Sequence, residues 1–564
     1  MLHGSCSARS TAAAARLPAV IAALCVAACA PEEGGRGNDA FDVLITGARV
    51  VDGAGNPWFR ADVGITGDRI AAMGRLEEAR AERVIDAADR VVSPGFIDMM
   101  GQSSLVLVTD PPSAESKLRQ GITTYLSGEG GSPAPRGAAE GGPIVFGDTL
   151  VWTTYGEYFD IIERFGIPLN VVHNVGLTQV RRVVLGEEDV QPSAEQLERM
   201  KSLVRQAMQD GAVGVSTSLI YPPAVYASTE ELVELTRVAA EHGGTYFTHM
   251  RNESHAVLDA IHEALEIGRG AGVPVHIYHL KAAGQENWPL MADALALIDS
   301  ARAEGMDVTA DIYPYIRNGI GLTSFLHPRH YAEGAQAFLQ TLDDPAVRRE
   351  LRREVETTAD WENWYRHVGM DWDNVLIVSG SGSVDPDVVD KSIAEAATVL
   401  GTDPWSAFFD LVQAGGVSVN PRSMNEEQKW QALQAEFVMI DTDASPVNPA
   451  TSASAHPRAF GAFPRVIAKY VREDGVITLE DAVRRMTSLA ARRLGLFDRG
   501  LVAPGMAADL VVFDPERIRD VATFGDAMRY AEGVDYLLVN GALVIDQGAL
   551  TGAAPGRLLR RTPR

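Results

Sequence analysis

The chain has 564 residues, 46% hydrophobic and 22% charged, a globular composition with ample length for a large core. Lys and Arg number 50 against 75 Asp and Glu, a formal net charge of -25, and a surface this acidic argues against nucleic acid as a partner. One large domain with a smaller companion suits the length better than several small ones, because α/β barrels routinely exceed ~200 residues.

Arg9 and Arg16 precede an apolar run, Leu17 to Ala28, that is too short for a membrane span and reads as a signal peptide over residues 1–28. Val26-Ala-Ala-Cys29 resembles a bacterial lipobox, which implies cleavage before Cys29 and its lipidation; the competing reading is an ordinary secretory signal with a chance cysteine. Cys6, Cys25 and Cys29 are the only cysteines, so the mature chain would keep one and form no internal disulfide. Residues 29–40 read as a tether. Alanine rather than aspartate follows Cys29, which by resemblance to lipoprotein sorting rules implies a lipid anchor in the outer membrane, facing the periplasm.

Residues 41–93 are punctuated short strands: Asp42 to Thr46, Arg49 to Val51, Ala61 to Ile65 and Arg69 to Ala71. Residues 496–555 return to this style with Ala508 to Asp514, Val534 to Asn540 and Ala542 to Ile545, so both ends are expected to meet in one small β-sandwich. Between them, residues 94–495 alternate strand-like runs with helical periodicity: Val91 to Asp98, Ile122 to Ser127, Leu169 to Val175, Val213 to Thr217, Thr245 to His249, Val275 to His279, Asp307 to Asp311 and Phe437 to Asp441. Eight such runs predict an α/β fold, a (β/α)8 TIM-like barrel flanked by the β-sandwich. The stretch from about 316 to 436 is too long for one crossover and is expected to be an insertion over the barrel mouth. It holds one helical stretch, Ala335 to Thr357, and one strand-like run, Val375 to Val378.

In such a barrel the carboxyl ends of the strands share one mouth. His249, His279 and Asp443 stand at three of those ends, a set that suits a zinc ion activating water. Lys281 and Arg251 follow the histidines by two and would share their inward face, where either can bind a substrate carboxylate or join a salt bridge.

Several motifs then resemble one family in the order expected of it: Ser93-Pro-Gly-Phe-Ile-Asp98, Gly121-Ile-Thr-Thr124, Tyr221-Pro-Pro223, Thr248-His-Met-Arg251, Asp311-Ile-Tyr-Pro-Tyr315, His456-Pro-Arg458, Phe463-Pro-Arg465 and Pro504-Gly-Met-Ala-Ala-Asp509. They are similar to the D-aminoacylase (N-acyl-D-amino-acid deacylase) branch of the amidohydrolase superfamily. The resemblance implies Asp443 as general base, with Asp441 its rival, and Tyr221 and Tyr313 lining the mouth. Two departures stand out. The family's His-x-His after the first strand is Met100-Gly-Gln102, and neither side chain suits Zn2+. The family's cysteine after the second strand is replaced by Gly130, with Glu129 one position earlier. The resemblance then implies one zinc per chain, held by Glu129, His249 and His279, and hydrolysis of the linear amide of a small N-acyl amino acid, plausibly of D-configuration. The alternatives are a cyclic amidase or dipeptidase of the same superfamily, or a metal-free binding lipoprotein.

Overall fold

The computed structural model describes residues 40–561 apart from residues 77, 138–141, 146–147, 333 and 381–382. The expected signal peptide, Cys29 and nearly all of the tether therefore lie outside the described residues.

Both chain ends build one nine-stranded sheet. Phe41–Val50, Phe59–Thr66 and Arg69–Gly74 run antiparallel in succession, and Ala81–Asp86 and Val91–Pro94 pair in parallel with the first of them. Leu510–Phe513 pairs antiparallel with Val91–Pro94, placing Val512 opposite Val92, and Val534–Val539 and Ala542–Asp546 extend the sheet. Period-2 alternation turns Val43, Ile45, Val63, Ile65, Leu510 and Val512 into one apolar layer. The first two predicted strands are one strand with a bulge between Ile45 and Ala48, where Gly47 supplies a φ of +69°.

The predicted run Val91 to Asp98 serves two sheets. Val91–Pro94 belongs to the small one and Phe96–Asp98 to the barrel. Gly95 makes the crossing possible, because a Cβ there would stand 2.2 Å from the Thr123 side chain. The barrel continues with Ile122–Ser127, Asn170–His173, Gly214–Ser218, Thr245–His249, Val275–Ile277, Val308–Ile312 and Val438–Ile440, neighbours pairing in parallel. Val175–Gly176, continuing the third run, pairs with the fourth strand. Helices such as Ala194–Asp210, with its Ser193/Gln196 capping box, Thr229–Glu241 and Val257–Ala271 form the outer layer.

The insertion after the seventh strand has its own core of Trp364, Trp372, Trp405 and Phe408 and its own sheet of Ile320–Gly321, Ser418–Pro421 and Val375–Ser379. The helix predicted over Ala335 to Thr357 breaks in two, Ala335–Thr341 and Pro345–Thr357, because Asp344 caps a new helix that opens on proline.

The barrel closes between its eighth and first strands on a buried ion pair. Lys117 Nζ donates to Asp98 Oδ2 at 2.7 Å, to Thr442 Oγ1 at 2.5 Å and to the Ala444 carbonyl at 2.7 Å. Both charged side chains are fully buried. Burial pushes the Lys117 ammonium down, and the charge of Asp98 opposes that shift. Asp98 Oδ1 accepts from Thr442 N–H at 2.9 Å and from Met100 N–H at 3.2 Å, so one carboxylate ties together the segments leaving both strands. Lys117→Met strands a buried carboxylate and should cost about 3–5 kcal/mol, read as a fall in Tm, while adding Asp98→Asn recovers part of the loss. An unchanged Tm in the single variant would show that the pair does not hold the seam.

Candidate functional site

The carboxyl ends of the barrel strands open into a polar cavity of about 270 Å3 lined by Gln102, Glu129, His249, Glu253, His279 and Asp443, among others. Each predicted metal ligand reaches it from a different strand end. Glu129 sits in the turn after the second strand, His249 ends the fifth, and His279 lies two residues past the sixth. Their donor atoms all fall within 4.8 Å of one another. His249 Nδ1 is 2.6 Å and His279 Nε2 3.3 Å from the same oxygen, Glu129 Oε1.

The turn explains why position 129, not 130, carries the donor. Gly130 has a φ of +65°, and a Cβ there would meet Ser218 Cβ at 2.5 Å and Ser218 N at 2.8 Å. A cysteine has no room in this turn, whereas the Glu129 side chain points into the cavity. Burial pushes the Glu129 carboxyl up, but the hydrogen bonds and charges of His249 and His279 outweigh that and hold it well below the ordinary carboxylate range. Glu129 is thus an anionic donor.

Behind the histidines stands Glu253, which sequence reasoning missed. Its Oε1 lies 2.9 Å from His279 Nδ1 and its Oε2 3.4 Å from His249 Nε2, the latter outside hydrogen-bond geometry. The ring nitrogens facing away from Glu129 therefore both face one carboxylate, the arrangement that orients metal-ligating imidazoles. Burial and Lys281 push the His279 imidazole down, but Glu253 and Glu129 prevail and raise it to about 9. One carboxylate and two imidazoles converging from rigid strand ends, backed by a second carboxylate, fit a divalent ion of the zinc type. His279 and Asp443 hold positive φ angles of 36° and 41°, a backbone cost of about 1–3 kcal/mol each that is found where surrounding structure fixes a functional side chain. His279 is so fixed: its N–H donates to Asp311 Oδ1, while Asp311 Oδ2 faces His276 Nε2 at 2.8 Å.

Where the family's His-x-His would stand, the chain does something else. Met100 is fully buried among Ile97, Leu126 and Phe247, away from the cavity. Gln102 Nε2 donates to Glu129 Oε2 and to Asp443 Oδ1, both at 2.8 Å. A neutral amide thus bridges the two carboxylates.

Asp443 lines the cavity and pairs with Arg458 Nη1 at 2.6 Å. Its rival Asp441 is fully buried outside the cavity, and burial followed by the charge of Asp311 pushes its carboxyl well up, so it does not share the cavity's chemistry. Lys281 lines the cavity but is spent on Glu253 Oε1 at 2.6 Å. Tyr221 and Tyr313 line it as expected, Tyr221 with its ring edge against His249 at 5.5 Å. Arg251 is a correction. Its guanidinium grips Glu263 at 2.9–3.1 Å and the carbonyls of Val225 and Ala227, outside the polar cavity. The strand ends at His249, so alternation no longer aims the residue two further on. Arg458, which was not assigned a role, takes the cationic place. It is buried, its Nε has no partner, and it stacks over Tyr313 at 4.5 Å. The His456-Pro-Arg458 motif was its signal in the sequence. Nothing in the sequence pointed to Glu253, which sits in a loop.

Residues 83–545 match the model described as Amidohydrolase family. An N-acyl-D-glutamate deacylase of Alcaligenes xylosoxydans xylosoxydans is 36% identical over 92% of this chain and 97% of its own length. A D-aminoacylase from the same organism is 33% identical over 93% and 98%. Among solved structures, an N-acyl-D-glutamate deacylase from Bordetella bronchiseptica, complexed with zinc and a phosphonate inhibitor that mimics the tetrahedral intermediate, is 32% identical. It covers 93% of this chain, with all of its own length matched, at a TM-score of 0.78.

Gln102→Ala removes the bridge without removing a donor of the Glu129–His249–His279 set. It should cost about 10–100-fold in turnover, as loss of supporting partners in metal sites does, with bound metal retained on metal analysis. Full activity in that variant would mean the bridge is incidental.

Proposed function

We infer the activity from one premise: the chain belongs to the amidohydrolase family, in its D-aminoacylase branch. It is a zinc-dependent hydrolase of linear amides, and the reaction assigned to it is deacylation of N-acyl-D-amino acids. The observation that carries this is the convergence of Glu129, His249 and His279 in one cavity with Asp443. Zinc at this donor set supplies Lewis acidity, making water acidic and polarising the scissile carbonyl.

The chain's own residues do the rest. Asp443, oriented by Gln102 and Arg458, takes a proton from the attacking water and returns it to the departing nitrogen. Glu253, 2.9 Å from His279 Nδ1, keeps that imidazole in the orientation that presents its Nε2 to the cavity, and Glu129 lies 2.6 Å from His249 Nδ1. Arg458, with Nε unpartnered and Tyr313 beneath it, takes the substrate carboxylate beside the leaving nitrogen. One zinc per chain is the proposed stoichiometry. It rests on Met100 lying in the core and on Gln102 already spanning the gap between Glu129 and Asp443. A D-aminoacylase whose structure is similar at a TM-score of 0.77 is described as having a binuclear centre with one-metal activation and second-metal attenuation.

The zinc-loaded protein should release free amino acid from N-acetyl-D-amino acids and discriminate against the L-isomers. Asp443→Asn keeps the shape but loses the acceptor, and should lower kcat about 100- to 10,000-fold with zinc still bound. Near-normal turnover in that variant would remove Asp443 from the role.

The location proposed for the mature protein is the outer membrane, anchored through a lipid on Cys29 and facing the periplasm; the support is the Val26-Ala-Ala-Cys29 sequence after a short apolar run. Cys29→Ala should abolish incorporation of labelled palmitate and release the protein from the membrane fraction. Unchanged labelling would refute the anchor.

A further inference from the structure

A second cavity of about 810 Å3 opens beside the site. Tyr221 and Trp364 line both cavities, so the two adjoin at these side chains. The second is three times the 270 Å3 of the polar one and differs in chemistry. Its walls include Ile220, Leu326, Leu339 and Trp361, contributed mainly by the insertion. The cations among its described lining residues are committed: Arg251 grips Glu263, and Arg329 pairs with Glu354. Asp189 and Asp360 also line it, whereas Glu187 is paired with Arg182, so a carboxylate entering here meets like charge. Such a volume takes a whole drug-sized apolar group, far more than an acetyl or a single amino-acid side chain fills.

From this adjacency and this lining, we propose that the second cavity is an acyl subsite and that the preferred substrates are N-acyl amino acids with a long aliphatic acyl chain. The inference rests on the deacylase reading above and specifies its substrate class. The carbonyl sits at the Glu129–His249–His279 set, the amino acid's carboxylate goes to Arg458, and the chain passes Tyr221 into the apolar cavity. Hydrolysis breaks the amide C–N bond. Water's oxygen goes to the acyl carbon and both its protons end on the nitrogen, giving a long-chain carboxylate and the free amino acid with its ammonium group.

The test compares kcat/KM of the zinc-loaded protein for N-acetyl-D-alanine, N-dodecanoyl-D-alanine below its micelle concentration, and N-acetyl-D-phenylalanine. Each methylene withdrawn from water contributes about fourfold. Burying four of the roughly ten added methylenes therefore gives the dodecanoyl substrate a preference of at least about 100-fold. Leu339→Glu, at a half-buried position, and Ala335→Trp, at an exposed position on the rim, should each erase that preference while N-acetyl-D-alanine hydrolysis stays unchanged. A dodecanoyl-to-acetyl ratio near one overturns the proposal. So does a gain for N-acetyl-D-phenylalanine alone, which would give the cavity to the amino-acid side chain. If no substrate is hydrolysed, the deacylase reading fails, and calorimetric titration with dodecanoate judges the cavity separately. Saturable binding lost in Leu339→Glu supports an aliphatic-chain site, and its absence overturns it.

Discussion

The site hangs on one buried carboxylate, Asp98. A barrel must close, and this one closes where its eighth strand meets its first with little ladder bonding: Met99 N–H reaches the Ile440 carbonyl at 3.4 Å. The seam is carried instead by Asp98 with Lys117 and Thr442. Two desolvated charges are costly, and they are tolerated because every strong donor and acceptor between them is used. The consequence reaches the cavity. Met100 and Thr442 both donate backbone N–H groups to Asp98 Oδ1, and two residues beyond Met100 and one beyond Thr442 stand Gln102 and Asp443. The hydrogen bond between Gln102 and Asp443 is thus positioned from below by the same carboxylate that closes the barrel.

Above that floor the problem is electrostatic. Glu129, Glu253 and Asp443 crowd one small cavity, with Arg458 and Lys281 as the neighbouring cations. A bound dication resolves the imbalance at Glu129, and the Gln102 amide screens Glu129 from Asp443 without adding charge. In place of a second cation the chain uses two N–H bonds, which keeps both carboxylates aimed while leaving Asp443 able to accept a proton.

Much of this was legible from residues alone. The barrel strands are short β-branched or aromatic runs, and burial on both faces makes such runs conspicuous. His249, His279 and Asp443 stood out because they terminate those runs. Glu129 became visible only against the missing cysteine, and the steric reason, Ser218 against Gly130, is a tertiary contact that no local pattern records. Arg251 misled because alternation was carried past the end of its strand, into a loop where Glu263 decides its direction. Glu253 and the insertion's apolar cavity depend on which loops meet in space. The insertion showed one strand of its three-stranded sheet, since Ile320–Gly321 and Ser418–Pro421 are too short to carry a period.

The proposed centre is a single ion among one carboxylate and two imidazoles, with no sulfur and no metal partner. X-ray absorption at the zinc edge of the loaded protein reads this directly. Two imidazole ligands and further oxygen ligands at about 2.0–2.2 Å are expected, with only light ring atoms and no metal scatterer beyond the first shell. A metal–metal vector at about 3.5–4 Å would contradict it, because a second ion would then have displaced the Gln102 bridge.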